Sequence, residues 1–190
     1  MAGILSEAFR KVTAKHKDAR MKEESSASVA YATGFLNFDF MNGTVVHVKS
    51  ADREFKYYSV GIQDGCFVML IGRSGCGKTT WAIQTAANIV RDFPQSCIFH
   101  DDIEGGLTEY RKELLSGFHG DELKARYISR NTGVTAENMY ERIRIIHDLK
   151  LENRADYEYD TGFFDTRGER IFKLVPTVYI IDSIALLMPA

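Results

Sequence analysis

The sequence predicts an α/β fold built on a mostly parallel central sheet. Three observations predict it. Residues 66–71 (CFVMLI) and 177–182 (TVYIID) are short, continuous apolar runs, the pattern of strands buried on both faces. Segments of helical character at 78–91, 105–118 and 136–151 alternate with shorter strand-like runs at 96–100 and 125–129. A glycine-rich stretch joins the first apolar run to the first of these helices.

Ahead of that regular part, residues 4–22 read as a basic helix with a ragged apolar face of Ile4, Leu5, Phe9, Val12 and Ala14. Three roles suit it: a solvated surface helix, a helix docked on a neighbouring subunit, or a nucleic-acid contact. A small, polar linker follows at 23–28, so 1–29 forms an N-terminal element and 30–190 the core. Residues 33–43 mix apolar positions with turn formers, and predict a short helical or turn element bracketed by Gly34 and Gly43. Residues 44–60 alternate as a hairpin turning at Ala51-Asp52-Arg53. Residues 152–172 set Tyr157, Tyr159, Phe163 and Phe164 among acidic residues. They predict a surface excursion, a hairpin around Gly162 or Gly168, whose aromatics pack on something.

At 190 residues the chain suffices for one domain with a sizeable core, and its 45% apolar and 26% charged residues are those of an ordinary globular protein. A net charge of -2 argues neither for nor against a nucleic-acid partner. No run reaches membrane-spanning length and no secretory pattern opens the chain, so the expectation is a cytoplasmic protein without membrane contact. Cys66, Cys76 and Cys97 are odd in number and lack metal-site spacing, which suits a reducing compartment. Cys66 and Cys97 read as strand filler. Cys76 lies in the glycine loop, where backbone donors favour a thiolate and oxidation sensitivity is expected.

The strongest signal is Gly72-Arg73-Ser74-Gly75-Cys76-Gly77-Lys78-Thr79, the Gly-x-x-x-x-Gly-Lys-Thr form of a phosphate loop (P-loop), with a strand before it and a helix after. Glycines let the backbone wrap phosphate oxygens with N–H groups inward, and the helix start adds its dipole. Lys78 is expected on the β- and γ-phosphates and Thr79 on Mg²⁺. Thr80 reads as an ordinary first-turn residue or as a second ligand. Val178-Tyr179-Ile180-Ile181-Asp182 is an apolar strand ending in a carboxylate, the Walker B pattern, which places Asp182 on Mg²⁺ at the carboxyl end of the sheet. The attacking water needs an acceptor. Asp101, Asp102 and Glu104, which follow the second strand, are the candidates, and Asp101 or Asp102 also reads as a Mg²⁺-side or water-positioning partner. Glu104 stands before Gly105-Gly106, where the backbone can turn tightly; its plainer role is to cap the next helix. His100 reads as a buried strand-end histidine.

Taken together, four segments resemble the RecA-type recombinases of bacteria and their phages. They are Thr33-Gly34-Phe35-Leu36-Asn37-Phe38-Asp39 closing with Gly43; Gly61-Ile62-Gln63-Asp64-Gly65 leading to the phosphate loop; Phe99-His100-Asp101-Asp102-Ile103-Glu104-Gly105-Gly106-Leu107; and Asp182-Ser183-Ile184-Ala185-Leu186-Leu187-Met188-Pro189. The resemblance implies a RecA-like P-loop ATPase fold with ATP and Mg²⁺ bound between protomers. It further implies filaments on single-stranded DNA, homologous pairing and strand exchange. The catalytic glutamate falls on Glu104. The adenine-stacking aromatic falls nearest to Tyr110, one position closer to the glutamate than usual. The N-terminal helix would dock on the neighbouring protomer.

Residues 44–60 and 152–172 read as insertions, pointing to a divergent, phage-encoded member acting in the host cytoplasm. The family's DNA-binding loops and γ-phosphate sensor lie beyond Ala190. The sheet is therefore expected to be incomplete at the C-terminus, with weak DNA binding and hydrolysis. Two other readings share these motifs: a hexameric replicative-helicase-type motor, and a recombination-mediator or regulatory ATPase without strand exchange. ATP is preferred to GTP on the resemblance alone.

Overall fold

The computed structural model of the chain describes residues 29–50, 53–132, 134–165 and 168–186. The expected basic helix at 4–22 and the turn residues Ala51 and Asp52 lie outside these residues. In chain order the elements are β1 (Ala30–Tyr31), α1 (Leu36–Met41), β2 (Thr44–Ser50), β3 (Arg53–Ser59), β4 (Ile62–Gln63), α2 (Lys78–Arg91), β5 (Ile98–Asp102), α3 (Glu109–Ser116), α4 (Gly120–Arg126), β6 (Tyr127–Arg130), α5 (Ala136–Glu152), α6 (Arg154–Tyr157), β7 (Glu158–Phe164), β8 (Arg170–Leu174) and β9 (Val178–Asp182). A single 3₁₀ turn, Ile184–Leu186, follows β9.

The central sheet is parallel, three-stranded and ordered β6-β5-β9. Its register sets Ile98 beside Val178, His100 beside Ile180 and Asp102 beside Asp182. Because strand side chains alternate in direction, Ile98, His100, Asp102, Ile180 and Asp182 share one face. Phe99, Asp101 and Tyr179 share the other.

Helix α2 covers the first face. Its buried Ile83, Ala86, Ala87 and Val90 recur at i, i+3, i+4 and i+7, the stripe of an amphipathic helix. They form the core with Ile98, Phe118, Leu123, Tyr127 and Ile180. Burying Ile83 or Val90 contributes roughly 1.5–3 kcal/mol each. The guanidinium of Arg126 donates to the carbonyls of Val90 and of Phe93 (2.9 Å), and its carbon sits 4.7 Å from the Phe118 ring centroid. One side chain thus ties a carbonyl of the last turn of α2 to the carbonyl of Phe93 just beyond the helix. The opposite face meets α5, where Arg142 forms a two-pronged ion pair with Asp101 (3.2 and 3.1 Å) and the Tyr179 hydroxyl donates to the same carboxylate (2.5 Å).

Segment 33–43 forms the expected short helix, α1. The Asp39 carboxylate accepts from the Thr33 amide (2.9 Å), the Thr33 hydroxyl (2.6 Å) and the Gly34 amide (3.1 Å), which closes the turn ahead of α1. Phe35 stacks on Trp81 at 5.7 Å and Phe38 meets it edge-on at 5.1 Å, seating α1 on the first turns of α2. Strands β2 and β3 pair antiparallel as a hairpin. Strands β7 and β8 form a second antiparallel pair, with a register shift between Asp160 and Phe164 around the left-handed Gly162 (φ +73°). Of its aromatics, Tyr159 packs on the chain itself, whereas Phe172 is exposed. The Tyr159 hydroxyl lies 3.0 Å from that of Tyr31, its ring is 4.7 Å from Phe93, and Lys173 pairs with Asp64 at 3.4 Å.

The structure departs from the sequence reading in several places. Residues 66–71 form no strand. Phe67 is 90% exposed and Ile71 88%, and β9 is left with one paired edge among the described residues. Cys66 is accordingly exposed rather than core filler, and Cys97 is half-buried with its thiol pushed up by burial. The helix expected from Gly105 begins only at Glu109, because Thr108 caps it by accepting from the Arg111 amide (3.3 Å) and Gly105-Gly106 stay in the preceding turn. Helix α4 takes residues 120–126, part of which reads as strand. Leu123 is its one buried side chain, so it carries no apolar stripe, and Asp121, Glu122, Lys124 and Arg126 suit the two ends of a helix dipole. Among the described residues, no helix is long and apolar enough to cross a membrane.

Candidate functional site

The carboxyl ends of β5 and β9 and the start of α2 converge. Gly75 and Gly77 adopt positive φ (+75° and +89°), which glycine takes without the steric cost of a Cβ. Gly77 caps α2, its carbonyl accepting from the Trp81 amide at 2.9 Å. At Gly72 an added Cβ would lie 2.8 Å from the Cys76 sulfur, so the loop's first turn is closed to a side chain there. The Lys78 ammonium donates to the carbonyls of Gly72 (3.0 Å) and Arg73 (2.9 Å), setting a positive charge against the loop's own start. Residues 71–77 are exposed and Lys78, Thr79 and Thr80 half-buried, so the first turn of α2 is reachable from solvent.

Across 103 residues of sequence, the Thr79 hydroxyl donates to Asp182 Oδ2 at 2.5 Å. The two elements with the most specific patterns therefore meet through their oxygen-bearing side chains. The chain after β5 abuts the same point: the amides of Ile103 and Glu104 donate to the Asp182 carbonyl at 2.7 and 3.4 Å. The Glu104 side chain is exposed on this turn. Arg73, Ser74 and Cys76 are exposed along the loop. Tyr110 lies in the first turn of α3, which packs beside α2, and is 73% exposed.

Asp101 and Asp102, both expected after the second strand, are its last two residues and face opposite ways. Asp101 joins Arg142 and Tyr179 on the α5 face, away from the loop. Asp102 stays on the α2 face beside Asp182 and accepts from the amides of Gly105 (3.1 Å) and Leu107 (3.0 Å). The Asp-Ile-Glu-Gly-Gly order carried the signal for this bracing, since aspartates bond backbone amides in turns that glycines permit. His100 is fully buried, with Nδ1 2.6 Å from the Tyr127 hydroxyl and no hydrogen-bond partner at Nε2. Burial pushes its pKa down and that of Tyr127 up, keeping both neutral.

A cleft of roughly 340 Å³ lies elsewhere, between the 34–35 turn, α2 and α3, with Asn88, Arg91 and Ser116 in its wall. It contains no residue of the 72–79 loop. Comparison with protein-family models, curated proteins and solved structures yields no match for this chain.

Proposed function

We propose that this chain binds Mg·ATP on the 72–79 loop and hydrolyses it, as the ATPase core of a RecA-like DNA recombinase that forms filaments on single-stranded DNA. The observation that carries the nucleotide reading is the Thr79–Asp182 contact. A loop of phosphate-binding spacing and a distant strand-end aspartate are joined by two hard oxygen donors. The donor set fits Mg²⁺, which takes a hydroxyl and a carboxylate and completes its shell with phosphate and water. Thr79 and Asp182 would hold it, and the cation would neutralise charge on the β- and γ-phosphate oxygens. The Gly72–Thr79 backbone would bind the phosphates and Lys78 would orient them. Glu104 would hold the attacking water. The recombinase reading rests on the four-segment resemblance, and DNA would be gripped through phosphate contacts of strong salt dependence.

The test is Mg·ATP hydrolysis by the full-length gene product with and without single-stranded DNA, beside electron microscopy of the same mixture. Expected are DNA-stimulated turnover and helical filaments, both lost in Lys78→Ala. Closed rings would move the reading to a hexameric helicase-type motor. DNA-indifferent turnover without polymers would move it to a regulatory ATPase. No binding of Mg·ATP would overturn the nucleotide reading itself.

A further inference from the structure

Three carboxylates stand at the rim of β5 and β9, and each is held differently. Asp101 has a guanidinium and a phenol hydroxyl, and Asp182 has the Thr79 hydroxyl. Asp102, 7% exposed, takes two backbone amides of the turn that follows it. A buried carboxylate is costly unless hydrogen-bonded, and bonds from N–H to an ionised acceptor are the strong kind. That strength is spent on one short segment, residues 103–107, and Glu104 lies inside it.

We infer that Asp102 is a positioning residue for Glu104, its carboxylate setting the turn that carries the glutamate and through it the rate of hydrolysis. The inference rests on the nucleotide reading above. Glu104 is bracketed. On its near side, its own amide and that of Ile103 reach the Asp182 carbonyl. On its far side, Gly105 and Leu107 are tied to Asp102 Oδ1 and Oδ2. Gly105, at φ +66°, is the first of these tied residues and Gly106 lies between it and Leu107, a pair with large backbone freedom. The Gly105 amide also donates to the Asp102 backbone carbonyl at 3.1 Å, which closes the turn, and the two carboxylate oxygens then fix the path of the glycines to Leu107. Strand register makes the assignment specific, since Asp102 is placed beside Asp182 whereas Asp101 faces α5. A purely structural turn brace would alter stability and leave the chemical step alone. A positioning residue alters the chemical step with nucleotide binding intact.

The experiment compares single-turnover hydrolysis of Mg·ATP, ATP affinity and Mg²⁺ dependence in Asp102→Ala, Asp102→Asn, Glu104→Gln and Asp102→Ala/Glu104→Gln. Displacing a catalytic group by about 1 Å can cost about 10²-fold in rate, so Asp102→Ala is expected to slow hydrolysis on that order with ATP affinity and Mg²⁺ dependence unchanged. Asp102→Asn, of the same shape, keeps one acceptor oxygen and turns a donor toward the other amide. It is expected to fall between wild type and Asp102→Ala, and it carries the test if the alanine variant fails to fold. On the Glu104→Gln background, Asp102→Ala is expected to add no further loss, because the two act as one unit. Hydrolysis at the wild-type rate in both Asp102 variants overturns the inference. So does an undiminished loss on the Glu104→Gln background, or a raised Mg²⁺ requirement, which would make Asp102 a ligand. A wild-type chain that binds no Mg·ATP fails earlier, at the nucleotide reading.

Discussion

Replacing Arg142 by Met strips the charge from the α5 face of the sheet while keeping much of the side chain's apolar stem. Asp101, whose side chain is 3% exposed, would retain the Tyr179 hydroxyl and lose both guanidinium bonds. Removing one partner of a buried ion pair costs about 3–5 kcal/mol, chiefly because it strands the other charge. The Arg142 side chain is 19% exposed, so part of that charge is already hydrated, and the lower end, about 3 kcal/mol, applies. Against a total stability of about 5–15 kcal/mol this is a large fraction. With an m-value of about 2 kcal/mol/M, the urea midpoint is expected to fall by about 1.5 M. Trp81, the single tryptophan, reports unfolding as it leaves Phe35 and Phe38. Adding Asp101→Asn removes the stranded charge and leaves the Tyr179 hydroxyl an acceptor, so the double variant is expected to recover about 1–2 kcal/mol. A single variant within about 0.5 kcal/mol of wild type, or a double variant no more stable than the single, would refute the reasoning.

Three further outcomes follow from the same core and rim. The folded-state pKa of Tyr127 is raised by burial, so its stabilising contribution is complete below the unfolded value near 10 and is lost as pH rises above it; each such tyrosine contributes a fall of about 1.4 kcal/mol per pH unit. Tyr127→Phe should lower stability at neutral pH, where His100 loses its Nδ1 partner, and flatten the alkaline slope; an unchanged slope in urea titrations between about pH 9 and 11, either side of the ordinary tyrosine value, would count against this. His100 has the opposite sign: its folded pKa is depressed, so stability is lost as pH falls below about 6.5. At the rim, the exposed run 66–71 lies immediately before the loop and β9 has an unpaired edge among the described residues. Added there as a parallel strand, the run would bury its apolar side chains and reach β5 through α2 in a single crossover. Hydrogen exchange at amides 67–71 is therefore expected to slow on adding Mg·ATP, and exchange indifferent to nucleotide would end that idea.

Elements carried by local pattern were legible in the sequence. Helix α2 spans the 78–91 expected of it, because a phosphate-loop spacing and an i, i+3, i+4, i+7 stripe are both written in neighbouring residues. Strand β9 was legible as an apolar run ending in Asp182, and β5 and β6 as short strand-like runs between helical segments. Helix α4 was not, because a single buried leucine sets no period. Strand β5 was read two residues too early, at 96–100, which left Asp101 and Asp102 as equivalent loop carboxylates. Its true end at Asp102 puts both inside the strand.

That difference marks the boundary between what sequence and structure decided. The sequence by itself determined the glycine loop, the helix it opens, the strand-end aspartate and the α/β alternation, since each depends on residues close in the chain. The tertiary structure decided that Thr79 meets Asp182 and that Tyr159 packs on Tyr31 and Phe93. It also sent Asp101 to Arg142 while Asp102 braces the Glu104 turn. Those outcomes depend on strand register and on which helix covers which face. A strand's alternation sends adjacent side chains to opposite sides, but only its partners determine what waits there.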